Sequence, residues 1–162
     1  MISKFLAIAL FAFFCNLAFA EVQYTEKEDD FSNDKVYSLK IPSIKGESAV
    51  IFISCHPKNK LDVQLAITGT MFPNDTVGGG MIISATHKFD KAEEAITSDW
   101  FMNLMKYKNA WYRGNKVEFA KSAIVSDQLS LRLNKRNDIY KFKLNDTAVH
   151  LQKILGACGE KI

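Results

Sequence analysis

Leu61-Asp62-Val63-Gln64-Leu65-Ala66-Ile67 alternates with a period of two. Leu61, Val63, Leu65 and Ile67 fall on one side, and Asp62, Gln64 and Ala66 on the other. Successive side chains of a strand point to opposite faces, so the pattern predicts a β-strand with one face in a core. Just upstream, Ala49–Cys55 is a continuous apolar run through Val50, Ile51, Phe52 and Ile53, which predicts a central strand. His56-Pro57-Lys58-Asn59 ends it, because proline cannot extend a ladder. Further back, Tyr37, Leu39 and Ile41 alternate with Ser38 and Lys40, so Val36–Ile41 reads as a strand; Ser43-Ile44-Lys45-Gly46-Glu47 then reads as a turn.

Downstream, Gly69 to Gly80 is a loop with the turn residues Pro73-Asn74-Asp75 and the triplet Gly78-Gly79-Gly80. Met81–Phe89 resumes a strand. Residues 91–112 admit two readings: Ala92–Ile96 fits a helical turn, whereas Trp100–Tyr112 is dense in aromatic residues and methionine. Lys116–Ile124 favours a short helix with Val117, Ala120 and Ile124 on one face. Leu129, Leu131 and Leu133 then alternate with Ser130 and Arg132. Asn134–Asp138 is a polar turn, and Ile139–Leu144 returns with Tyr140, Phe142 and Leu144 on one side, which makes a hairpin. Asp146 suits a helix N-cap. Leu151, Ile154, Leu155 and Cys158 form one apolar stripe, and Gly159 suits the position after the helix end. The elements together predict an α+β fold: an antiparallel sheet of about six strands, with one or two helices packed on one face and the C-terminal helix tied to the sheet by a disulfide.

The chain has 162 residues, of which 48% are apolar and 24% charged, with a formal net charge of +3. That is one domain's length and an ordinary globular composition, which argues against long disorder and a multi-domain enzyme. Met1-Ile2-Ser3-Lys4 is a short basic head, Phe5–Phe14 an apolar core too short to span a bilayer, and Ala18-Phe19-Ala20 a small-x-small site. Residues 1–20 therefore read as a leader cleaved before Glu21; a lipoprotein leader ending at Cys15 is the alternative. Cleavage would leave an acidic arm at 21–34, weakly attached or mobile, and a single domain at 35–162, exported to the periplasm. It would also leave two cysteines, Cys55 and Cys158, an even pair that reads as one disulfide in an oxidising compartment. No C-x-x-C is present, and two cysteines cannot complete a zinc site.

Charge is polarised along the chain. Residues 21–34 carry six acids and one lysine, and residues 100–162 carry twelve basic groups and five acids. Lys135 and Arg136 sit at the hairpin tip, and Arg132, Lys141 and Lys143 on its strands. Lys106, Lys108, Arg113, Lys116 and Lys121 lie nearby in sequence, among Trp111 and Tyr112. The bland reading is a solvated sheet face. The functional reading is a cationic surface for an acidic protein or the anionic cell envelope, with the aromatics as anchors. Nucleic acid is a poor candidate at this charge.

Catalytic signatures fail on context. Gly78–Gly80 has no following Lys-Ser/Thr and leads into a strand, so neither a P-loop nor a dinucleotide fingerprint fits. It reads as a flexible hairpin tip, or as a loop that enters a partner's cleft. His56, His87 and His150 form no metal-ligand spacing and read as surface or strand-end residues. There is no G-x-S-x-G elbow, and Glu93 and Glu94 would diverge on any regular element. The expectation is a binding protein rather than an enzyme, without cofactor or metal.

The leader ending at Ala18-Phe19-Ala20, the mature length and the Cys55/Cys158 pair resemble periplasmic bacteriocin immunity proteins of the pesticin type. That resemblance implies an inhibitor of a muramidase toxin, and it assigns no functional residues. A second resemblance covers the C-terminal half. Trp100, the helix near Lys116–Ile124, the leucine hairpin, Phe142-Lys143-Leu144 and the helix ending in Cys158 are similar to type VI secretion-associated periplasmic proteins. Those pair a strand cysteine with a C-terminal helix cysteine. His87-Lys88-Phe89-Asp90 stands where that family carries an arginine before Phe-Asp, which points to a shared fold rather than a shared role. The two functions implied are an inhibitor of a cell-wall hydrolase and a non-enzymatic accessory of an envelope machine.

Overall fold

Nine strands and two helices form in a computed structural model that describes residues 21–29, 34–45, 48–56, 58, 60–67, 80–103, 109–134 and 138–161. The strands are β1 (Gln23–Glu28), β2 (Lys35–Lys45), β3 (Ala49–His56), β4 (Lys60–Ile67), β5 (Gly80–Phe89), β6 (Ile96–Asn103), β7 (Asn109–Tyr112), β8 (Gln128–Leu133) and β9 (Ile139–Lys143). The helices are α1 (Lys116–Ile124) and α2 (Ala148–Ala157). Residues 1–20, with the expected leader and its cleavage site, lie outside the described residues.

The expected α+β sheet of about six strands with one or two helices on one face is not what forms. β2 to β9 close into an eight-stranded antiparallel barrel in the order β2-β3-β4-β7-β6-β5-β8-β9, and β9 pairs back onto β2. The closing contact is short and bulged: Ser43 faces Phe142, and Lys45 faces Lys141. The expected turn at Ser43–Lys45 is therefore strand, and its residues make the closure. Residues 96–103 and 109–112, ambiguous in sequence, supply β6 and β7 and bridge the two halves of the ring. The acidic stretch after residue 20 contributes β1, which pairs along β2 from Gln23↔Lys40 to Glu28↔Lys35.

The alternating positions fill the interior. Leu39, Ile51, Ile53, Val63, Leu65, Ala85, Trp100, Met102, Leu131, Tyr140 and Phe142 have no measurable exposure. Burying each leucine or isoleucine is worth about 1.5–3 kcal/mol, so a ring of them stabilises the closed form strongly. Because every pairing is antiparallel, the starts of β2, β4, β6 and β8 and the ends of β3, β5, β7 and β9 gather at one mouth.

Both helices sit at that mouth. α1 joins β7 to β8, and Asn115 caps it by accepting the Glu118 N–H at 3.1 Å. It directs Phe119 inward against His87, Phe89, Trp100 and Tyr112. α2 follows β9 and buries Leu151, Ile154 and Leu155. Its N-cap is Thr147 rather than the expected Asp146. Its end is closed by Gly159 at φ 74°, with the Glu160 N–H bonded to Leu155 O and the Gly159 N–H to Gly156 O. Cys158 then bonds Cys55 at the end of β3, with Cα atoms 5.7 Å apart. The expected tie between the last helix and the sheet is present. No helix among the described residues is long and apolar enough to cross a membrane.

Candidate functional site

The β2–β9 closure gathers cations that sequence distance keeps apart. On the outer surface of β8, β9 and β2, Arg132, Lys143 and Lys45 are exposed and Lys141 is half-buried. Lys141 lies between Ser130 on β8 and Lys45 on β2. Like charges placed directly opposite destabilise a sheet, so this row is held in place by the barrel rather than by its own contacts. The ion pairs between described residues lie elsewhere: Lys35–Glu26 at 2.7 Å, Lys91–Asp127 at 3.2 Å and Lys116–Asp62 at 2.9 Å. Among the described residues no ion pair involves Arg132, Lys45, Lys141 or Lys143.

Lys135, Arg136, Gly78 and Gly79 lie outside the described residues. Their anchors are described. Asn134, where the basic tip begins, is fastened to β5: its side-chain amide donates to Ser84 Oγ at 2.9 Å, and its carbonyl oxygen accepts from Thr86 Oγ1 at 2.9 Å. Gly80 begins β5 on that same strand. The Phe101 ring lies where a Cβ on Gly80 would sit, so a larger residue there would have to displace that ring. The bases of the basic tip and of the glycine loop thus belong to adjacent strands, at the mouth opposite the helices.

Several expected anchors are placed differently. Tyr112 points inward and is buried against Trp100 and Phe119, so it cannot contact a partner. Trp111 points outward beside Phe101, with ring centroids 6.4 Å apart. Lys116 is engaged with Asp62. Lys106 and Lys108 lie outside the described residues.

His87, expected at the surface or at a strand end, lies near the end of β5 and is a core residue with 2% exposure. Its Nδ1 lies 3.4 Å from Ser98 Oγ, which also accepts from the Trp100 indole at 3.2 Å. Burial among the aromatic rings lowers its pKa from 6.5 to about 4, because the charged imidazolium would lose its hydration there. The described residues contain no group of three or more His, Cys, Asp or Glu that could hold a metal ion.

Lys45 is the member of the row that the sequence hides. It reads as a turn residue, and only the β2–β9 pairing carries it to Lys141. No protein-family model, curated protein or solved structure matches the chain.

Proposed function

We propose that the protein is a periplasmic immunity protein that binds and blocks a cell-wall-degrading bacteriocin, a muramidase of the pesticin type. The observation that carries this reading is the row Arg132, Lys141, Lys45 and Lys143, in no ion pair among the described residues and held against its own repulsion. Muramidases work through carboxylates in a cleft, and a rigid cationic face complements them in charge. The basic tip at Lys135 and Arg136 and the glycine loop at Gly78–Gly80 are the elements proposed to enter the cleft, since their bases flank one mouth. The Cys55–Cys158 bond and the leader read from residues 1–20 support a periplasmic location.

The test is lysis of purified sacculi by pesticin, and separately by lysozymes, with the protein in excess. Suppression of one enzyme establishes inhibition. It should be lost on reversing Lys141 and Lys143 together, with association that slows and loses its salt dependence. Intact lysis by every enzyme would remove this reading in favour of an envelope accessory. The α2-to-β3 disulfide fits that accessory as well, because its resemblance pairs cysteines in the same two elements.

A further inference from the structure

A groove opens where β2 changes partners. β1 pairs with β2 as far as Gln23↔Lys40, and β9 takes over the same edge at Ser43↔Phe142. The start of β1 and the end of β9 therefore meet beside Pro42. Proline has no N–H, and a position between two registers is one where that absence costs no ladder bond. The resulting cavity is about 600 Å³, within the range of small-ligand sites.

Its lining carries both signs of charge and apolar side chains. Val22, Pro42 and the exposed Ile44 supply apolar lining, and Glu21, Asp146, Lys143 and His150 the polar groups. None of the three charged side chains forms an ion pair with a described residue. His150 stacks on Tyr24, with centroids 4.6 Å apart and planes 16° from parallel. Its Nδ1 is buried without a hydrogen-bond partner. Unpaired buried N–H groups are rarer than unpaired acceptors, which assigns the proton to Nε2. With that tautomer the imidazole is an N–H donor in the same lining as Lys143.

We propose that this groove binds a short peptide by both of its free ends. The peptide carboxylate goes to Lys143 Nζ and His150 Nε2, and its ammonium to the Asp146 and Glu21 carboxylates. An apolar side chain lies on Val22, Pro42 and Ile44. A purely anionic ligand would face two acids, and a purely cationic one would leave Lys143 unmatched. A ligand with both charges satisfies all of them. If the leader is cleaved before Glu21, that residue's own ammonium offsets one acid, and Asp146 becomes the group that selects for the ligand's ammonium.

The tripeptide Ala-Leu-Ala tests this, titrated calorimetrically into protein purified from cells that express the full chain. Its N-acetylated and C-amidated forms serve as comparisons. Each blocked form should bind roughly tenfold more weakly or worse, the loss of one charged contact. Asp146→Asn should erase the difference between free and acetylated peptide, and Lys143→Gln the difference between free and amidated peptide. The His150 ring resonances should move on binding. Both substitutions are at exposed positions, and an unchanged near-ultraviolet circular dichroism spectrum verifies the fold. Equal binding of the blocked forms, or no binding at millimolar peptide, would overturn the proposal. No bacteriocin is present in this titration, so its result is independent of the inhibitor reading, although Lys143 serves both.

Discussion

Lys45 and Lys141 stand directly opposite each other across the pairing that closes the barrel. Two ammonium groups in that relation cost stability unless an outside anion lies between them. Lys45→Glu should therefore raise stability by about 0.2–1 kcal/mol, the usual size of a cross-strand charge effect. The same change should weaken binding to an acidic partner. Urea unfolding and binding kinetics on one variant check both halves, and a loss of stability would contradict the first.

Cys55 and Cys158 are 103 residues apart, and their bond holds α2 to the end of β3. By the chain-entropy account, a loop of about 100 residues gives close to 4–5 kcal/mol. Native strain and residual unfolded structure lower that figure in practice. Cys158→Ser should cost about 2–5 kcal/mol. Reductant should lower the denaturation midpoint of the unmodified protein and leave that of the variant unchanged.

His87 makes stability depend on pH. In the unfolded chain its imidazole takes up a proton near 6.5, whereas burial in the fold delays this to about 4. Between those values the unfolded state binds more protons, so stability falls as pH drops from about 6.5 to about 4 and then levels off with respect to this group. The whole interval is worth about 3 kcal/mol. His87→Leu should flatten the urea-unfolding profile across that window. An unchanged slope would show that the imidazole reaches solvent in the fold.

Phe119 is the side chain that α1 inserts among His87, Phe89, Trp100 and Tyr112, and it is 3% exposed. Phe119→Ala leaves a cavity that rigid strands cannot collapse into. The expected cost is about 3–5 kcal/mol, read from chemical denaturation. The cationic row lies on the outer wall, so partner binding by the folded fraction should be preserved.

The local pattern of the fold is legible in the residues, and its closure is not. β3, β4, β5, β8 and β9 fall where alternation or a continuous apolar run predicts them, because one face of each is core. α1 spans Lys116–Ile124 as expected, but the face it buries is Phe119, Ala120 and Ala123 rather than Val117, Ala120 and Ile124. β6 and β7 escape detection because Phe101 and Trp111 place aromatics on the outer face, which erases the alternation made by Trp100, Met102, Ala110 and Tyr112. β1 escapes because its exposed residues are polar or charged and, within it, only Tyr24 packs toward the core. The half-buried period of two is the same in an open sheet covered by helices and in a barrel that encloses its own core. What separates them is the pairing of Ser43 with Phe142, a contact between distant residues that carries no local signal. For the same reason Arg132, Lys141 and Lys143 are readable as a group from their hairpin, and Lys45 is not.

The Ser43–Phe142 pairing also sets an order of events. Both it and the Cys55–Cys158 bond join the first part of the chain to the last. No closed barrel exists until β9 has been synthesised, whatever the earlier strands do. Long-range closure of this kind is intrinsically slow, because loop-closure entropy is lost before the contact forms. Late closure is the property a polypeptide needs if it must pass through a narrow channel before it folds.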